Sequence, residues 1–211
     1  MIEMTKNTFW VLTLVALGFA ACKKEETVTP SEPLTVETIN NLFAPNDEIN
    51  RETGEIIKEN NFVKFSFSAK DTVSDDSWDL AFKGTKILVN GGTGSENITR
   101  TGHAGAIIKD GIFEEMLTAP EDSEYRQDSG TDLAIPTGSN NGWYVYNDAA
   151  YLITPIAGKV IFVRTHDDKY AKVEILSYYK DAPANPDAFT DQAATFTFRY
   201  IYQEDGSKNL Q

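Results

Sequence analysis

The chain has little of what catalysis and covalent cross-linking require. Its 211 residues hold one cysteine, two histidines and three methionines. A single thiol excludes any internal disulfide. No Gly-x-Ser-x-Gly elbow occurs, and no nucleophile–base set stands out among the carboxylates of an acidic chain. "GGTGS" (Gly91 to Ser95) lacks the Lys-Ser/Thr ending of a phosphate loop and leads into no helical pattern, so a hairpin turn is expected there. Asp181, Asp187 and Asp191 share a Pro-rich loop without the spacing of a calcium loop. Basic charge is also scarce. The 19 Lys and Arg against 32 Asp and Glu leave a net charge of −13, which disfavours nucleic acid and anionic membrane surfaces as partners. These absences point away from an enzyme.

Long apolar runs are missing as well, apart from one between Phe9 and Phe19. That run is too short to span a bilayer comfortably and is followed by small residues, so residues 1–21 are expected to be a secretory signal peptide. Phe19-Ala20-Ala21-Cys22 resembles a bacterial lipobox, with phenylalanine where leucine is usual. Cys22 is therefore the expected site of acylation and the first residue of the mature chain. Residues 22–35 are polar, carry Pro30 and Pro33, and are expected to form a flexible tether. Lys23-Lys24-Glu25-Glu26 resembles the tract that directs some lipoproteins to the cell exterior, and equally suits a solvated linker. The expectation is an outer-membrane lipoprotein exposed at the cell surface, held by the lipid on Cys22 and not by its own acidic surface.

What remains, residues 36–211, has the length of one domain with a core of its own. In "VETINNLFAPND" (Val36 to Asp47) the spacing of Ile39, Leu42 and Phe43 predicts one short helical turn. Everything after it has the period of strands. Val63, Phe65 and Phe67 share a face, as do Trp78, Leu80 and Phe82. Beyond Gly84 the apolar set moves to Ile87 and Val89, a change of parity that an extra residue or bend near Gly84 would produce. "GKVIFVRT" (Gly158 to Thr165) is apolar on both faces, as a central strand is. "KYAKVEILSYY" (Lys169 to Tyr179) and "ATFTFRYIY" (Ala194 to Tyr202) alternate with a period of two. Turns are expected at Asn90-Gly91-Gly92, Lys109-Asp110-Gly111, Asn140-Asn141-Gly142, Asp167-Asp168 and Asp205-Gly206. No strand–helix alternation appears. The fold class is all-β, a single antiparallel β domain.

The aromatic residues carry more functional information than the charged ones. "NNGWYVYNDAAYLITP" brings Trp143, Tyr144, Tyr146 and Tyr151 together between a glycine turn and a central strand. Some of these rings must face the core, and the remainder would offer a flat apolar ligand a stacking surface with a polar edge. His166, in "RTHDDKY", falls where a turn is expected and suits a solvated turn residue better than a metal ligand. His103 precedes a short apolar strand among glycines that permit close approach of a partner.

The ordered segments "SWDLAFKG", "NGGTGS", "GWYVYN", "ITPIAGKVIFVRTHDDKYAKVEILSYYKDAPANPDA" and "FTFRYIYQEDGS" resemble the HmuY family of heme-binding lipoproteins, from about Phe62 to the C-terminus. The resemblance implies an all-β fold likened to a hand, with heme held between loops at one end. It also implies delivery of that heme to a TonB-dependent outer-membrane receptor. Characterised members grip the iron with paired His or paired Met side chains from the loops flanking the segment that matches "GWYVYN". Here Glu124 to Asn141 and Asn147 to Tyr151 contain neither. Tyr151 is then the candidate axial ligand, since tyrosinate ligates ferric heme. Tyr146 is its neighbour, His103 would come from the opposite side, and Trp143 would contribute to the heme-contacting wall. The alternative is a surface module of the same fold that has lost heme ligation and binds a protein or glycan.

Overall fold

The computed structural model describes residues 33–211. The expected signal peptide, the acylated Cys22 and the tether up to residue 32 lie outside the described residues. Among the described residues no helix is long and apolar enough to cross a membrane, and the one helical element is a single 3-10 turn at Asp122–Glu124.

The strands run in chain order as β1 (Glu37–Phe43), β2 (Glu48–Ile49), β3 (Ile56–Lys58), β4 (Val63–Ser66), β5 (Asp71–Val73), β6 (Leu80–Lys83), β7 (Lys86–Val89) and β8 (Gly92–Gly94). They continue as β9 (Gly105–Asp110), β10 (Asp128–Gly130), β11 (Tyr144–Asn147), β12 (Leu152–Pro155), β13 (Lys159–Arg164), β14 (Tyr170–Ser177) and β15 (Thr195–Gln203). A five-stranded antiparallel sheet has the order β1-β15-β14-β13-β9, and a four-stranded one β5-β4-β6-β7. The two pack face to face. Phe196, Phe198 and Tyr200 of β15, Val173 of β14 and Ile161 of β13 meet Phe65, Leu80, Phe82, Ile87 and Val89 in one buried cluster. Ring contacts bind its centre: Phe65 lies edge-on to Phe198 at 5.3 Å, and Phe82 stacks on Phe198 at 5.6 Å.

The alternation read from β13, β14 and β15 is the alternation observed. Val160 and Phe162 of β13, Tyr170 of β14 and Ile201 of β15 point to the other face of the large sheet. There Phe113, Ala119, Tyr125 and Leu210 cover them. Lys172 of β14 also points into this second layer and is fully buried. Its Nζ donates to the carbonyls of Phe113 (2.7 Å) and Met116 (2.8 Å) and stands 4.7 Å from the Phe113 ring centre. Burial holds the Lys172 pKa below the ordinary lysine range. The ammonium thus satisfies carbonyls of an irregular segment that no strand pairs.

Four local expectations are corrected. Val36 to Asp47 contains no helical turn but β1, where Ile39 faces Phe198 and Leu42 faces Phe196 with a register shift between them. Asn41 at the shift has φ 59°. A bulge makes two residues three apart point the same way, which imitates helical spacing. The parity change after Phe82 is a two-residue hairpin in place of a kink. Gly84 (φ 56°) and Thr85 connect Lys83 to its partner Lys86, and Phe82 then lies opposite Ile87. Trp78 precedes β6 and does not share the inner face of Leu80 and Phe82. It packs with Ala81, Leu88 and Leu133 on the outer side. "GGTGS" is not a hairpin turn either, since Gly92 to Gly94 form β8, which pairs in parallel with β10.

Candidate functional site

The strand register gives the sandwich two distinct ends. In β13, Lys159 lies at one end and Arg164 at the other, and β14 runs back beside it from Tyr170 to Ser177. The β11–β12 hairpin joins at the Lys159 end, where Ile156 N–H donates to Trp143 O (2.8 Å). Here Trp143 is only 1% exposed. Its ring contacts Tyr144 (5.0 Å), Phe196 (5.4 Å) and Tyr178 (5.8 Å), and its Nε1 donates to Thr85 O (3.1 Å). Trp143 therefore forms the base of this end and offers no free face. Burial pushes the Tyr178 phenol far up, which keeps it neutral.

Above that base the hairpin and the Pro-rich loop form a tip. The four residues between Asn147 and Leu152 make the turn, and Asn147 Oδ1 accepts from the N–H groups of Ala149 (3.1 Å) and Ala150 (3.2 Å). Tyr151 closes the turn with φ 57°. That left-handed conformation disfavours a bulky side chain by about 1–2 kcal/mol. Its side chain points outward, and the residue is 60% exposed. The Pro-rich loop is held at its root by the Asn41 bulge. Asn41 Nδ2 donates to Asp181 Oδ1 (2.8 Å) and Asp181 N–H to Asn41 Oδ1 (2.7 Å). Further out, Asp187 N–H donates to Asp191 Oδ2 (2.8 Å), and Phe189 N–H to Asp187 Oδ1 (2.8 Å). This small turn projects Phe189, which is 82% exposed and lies edge-on to Tyr151 with ring centres 5.9 Å apart. Tyr146 and Leu176 are exposed as well. Beneath the loop is a hollow of about 270 Å³ bordered by Ile153, Pro155, Tyr178, Tyr179, Pro183 and Pro186.

The candidate residues thus separate. Tyr146 and Tyr151 share one hairpin, with Trp143 at its base. His103 precedes Gly105, which pairs with Arg164 at the opposite end of β13. Six residues at about 3.3 Å rise separate the ends of that strand by roughly 17 Å. The structure does not bring His103 to Tyr151. The His103 side chain is 74% exposed, with Nδ1 3.4 Å from Asp168 Oδ2. His166 stands at this far end too. Its Nδ1 is 2.8 Å from Asp79 Oδ1, and that hydrogen bond raises its pKa. Phe189 escaped sequence reasoning. Its only signal was one aromatic residue isolated between aspartates in a loop otherwise made of small residues and prolines.

The fold is a β sandwich with a buried aromatic base and outward rings on two loops at one end. A model of the HmuY protein family matches residues 58–200. The chain belongs to the HmuY family, which is not a family of enzymes. Among solved structures it is similar to the apo HmuY analog of Tannerella forsythia, at 16% identity over 81% of this chain and 95% of that one, with a TM-score of 0.43. A Bacteroides vulgatus protein described as a putative HmuY-like heme binding protein matches at 14% identity over 67% and 84%, with a TM-score of 0.41. A Bacteroides fragilis protein described as a putative lipoprotein matches at 16% over 83% and 92%, with a TM-score of 0.40. No curated protein matches by sequence.

Proposed function

We propose that this chain is a heme-binding lipoprotein, anchored through Cys22 at the outer membrane and exposed on the cell surface. It captures heme at the tip and passes it to a TonB-dependent outer-membrane receptor. One observation carries the reading within a heme-linked family: Tyr151 occupies a backbone position suited to glycine and holds its ring outward against Phe189. Local strain that persists without a packing reward is a mark of functional sites. Tyr151 supplies a phenolate to ferric iron, Tyr146 and Phe189 flank the macrocycle, and Lys180 at the root of the Pro-rich loop meets a propionate. The chain enters β1 at Glu37, opposite Tyr200, and reaches the tip end only at Phe43, opposite Thr195.

The hollow under the loop, about 270 Å³, falls just short of the roughly 300–1,000 Å³ of small-molecule sites. A porphyrin entering between the edge-on rings of Tyr151 and Phe189 requires them to part. That small volume also favours the second reading, a surface module that docks a protein or glycan on the same exposed rings. Hemin titration of residues 33–211 distinguishes them. A saturable Soret shift that changes its visible bands in Tyr151→Phe supports ligation, whereas a spectrum equal to hemin in buffer removes the heme reading. Pull-down from outer-membrane extract with and without hemin tests the transfer: a receptor recovered only with hemin supports it, and hemin-independent recovery favours docking.

A further inference from the structure

The far end of the sandwich, independent of the tip, gathers both histidines of the chain beside carboxylates. Asp79, immediately before β6, reaches across to the β13–β14 turn. Its Oδ2 accepts from Phe67 N–H (2.8 Å) and its Oδ1 from His166 N–H (2.9 Å), so the carboxylate is fixed by backbone on both oxygens. His166 Nδ1 lies 2.8 Å from Asp79 Oδ1 and 3.9 Å from Asp167 Oδ1. One ligand atom from each of Asp79, His166 and Asp167 lies within 4.8 Å of the other two. Asp167 is positioned by Thr165 Oγ1, which donates to its Oδ1 at 2.7 Å.

A second arrangement converges on the same place. The β9–β13 register pairs Gly105 with Arg164, and continued by two residues it sets His103 opposite His166. His103 N–H indeed donates to His166 O (3.2 Å). The two histidines of the chain are therefore cross-strand neighbours, although no periodic pattern in the sequence required it.

We infer that Asp79, His166 and Asp167 form a site for one divalent first-row transition ion, with His103 beside it as the source of a second imidazole. One imidazole and two carboxylates suit a borderline ion such as Zn²⁺ better than a hard one, because nitrogen ligands favour the former. The ion takes the Nδ1 lone pair of the neutral imidazole, whose one proton then sits on Nε2, together with one oxygen of each carboxylate. Lys169 Nζ, 3.3 Å from Asp167 Oδ2, swings away as the ion supplies the positive charge. Backbone donors that immobilise Asp79 act as an outer shell, holding one ligand in place before the ion arrives.

The test is calorimetric titration of residues 33–211 with Zn²⁺, together with thermal unfolding in the presence and absence of the ion. One saturable equivalent is expected, with a rise in melting temperature. Asp167→Asn, at a half-exposed turn, keeps the acceptor for Thr165 and is expected to lower affinity tenfold or more. His166→Gln should abolish the saturable phase, and His103→Ala should weaken it several-fold. Circular dichroism of each ion-free variant establishes that it folds. Absence of a saturable equivalent in the unaltered protein overturns the inference. So does undiminished affinity in folded Asp167→Asn, which would mark diffuse attraction to an acidic surface. The Tyr151→Phe variant should bind Zn²⁺ normally, so failure here and failure of the heme reading are separable.

Discussion

At the end of the sandwich away from the tip, Asn90, Asp79 and Asp128 are buried and each takes part in three or more hydrogen bonds. At the tip, aromatic side chains are exposed, on loops whose outer turns are held by hydrogen bonds within the loop. Asn90 illustrates the first. Fully buried after β7, it donates from Nδ2 to Asp76 O (2.9 Å) and Trp78 O (2.8 Å) and accepts on Oδ1 from Thr101 N–H (2.9 Å) and Gly102 N–H (3.1 Å). Asp128 beside it accepts from the N–H groups of Val89 and Ala134 and from Arg100. Phe189 illustrates the second, since its one ring contact among the described residues is Tyr151. The proposed capture of heme at the tip would use this asymmetry. Loops that must part for a guest belong to the low-stability end of the molecule, and they part safely only if the opposite end does not open with them.

The largest expected effect breaks the locked end. Asp79→Ala removes the acceptor for Phe67 N–H, His166 N–H and His166 Nδ1. Leaving buried donors unsatisfied costs about 1–3 kcal/mol each. A loss of at least about 3 kcal/mol is expected in urea unfolding. A change within the error of the midpoint would show that water or a shifted loop replaces the carboxylate, and the two ends would then not differ as described.

Asn90→Ala is the milder probe of the same end. It deprives two carbonyls and two N–H groups of their partner, but a water molecule fits the space left by the amide. About 2 kcal/mol is expected. The loss should leave any hemin response of the tip unchanged in the residual folded protein. A hemin response that falls in step with stability would instead mean that the ends are coupled.

These hubs mark where sequence reading ends. β13, β14 and β15 were legible because each buries one or both faces, and burial writes a period of two into the residues. Polar hubs write no period. Asn90 looked like the first residue of a glycine turn, and Asp79 like the outward partner of Leu80, because both act through one contact far away in the chain. β1 was misread because its bulge at Asn41 copies the spacing of a helix. At the tip, Tyr151 was visible as an aromatic near a strand end, but its backbone strain and its pairing with Phe189, 38 residues later in the chain, depend on two loops meeting in space.

The smallest expected effect is also the one that separates stability from binding. Tyr151→Gly relieves a left-handed backbone conformation that costs a bulky residue about 1–2 kcal/mol, and gives back part of that by loosening the unfolded chain. The edge-on contact with Phe189 is lost as well. Because Tyr151 is mostly exposed, that loss is modest, and a net gain of about 0.5 kcal/mol is expected in urea unfolding. The same variant should lose the visible-band signature of hemin bound to the unaltered chain. Opposite movements of stability and ligand response would show that the ring is kept at this position for what it touches. If Tyr151→Gly lowers stability by 1 kcal/mol or more, the tip is part of the packed structure after all, and the contrast between the two ends narrows to one of exposure.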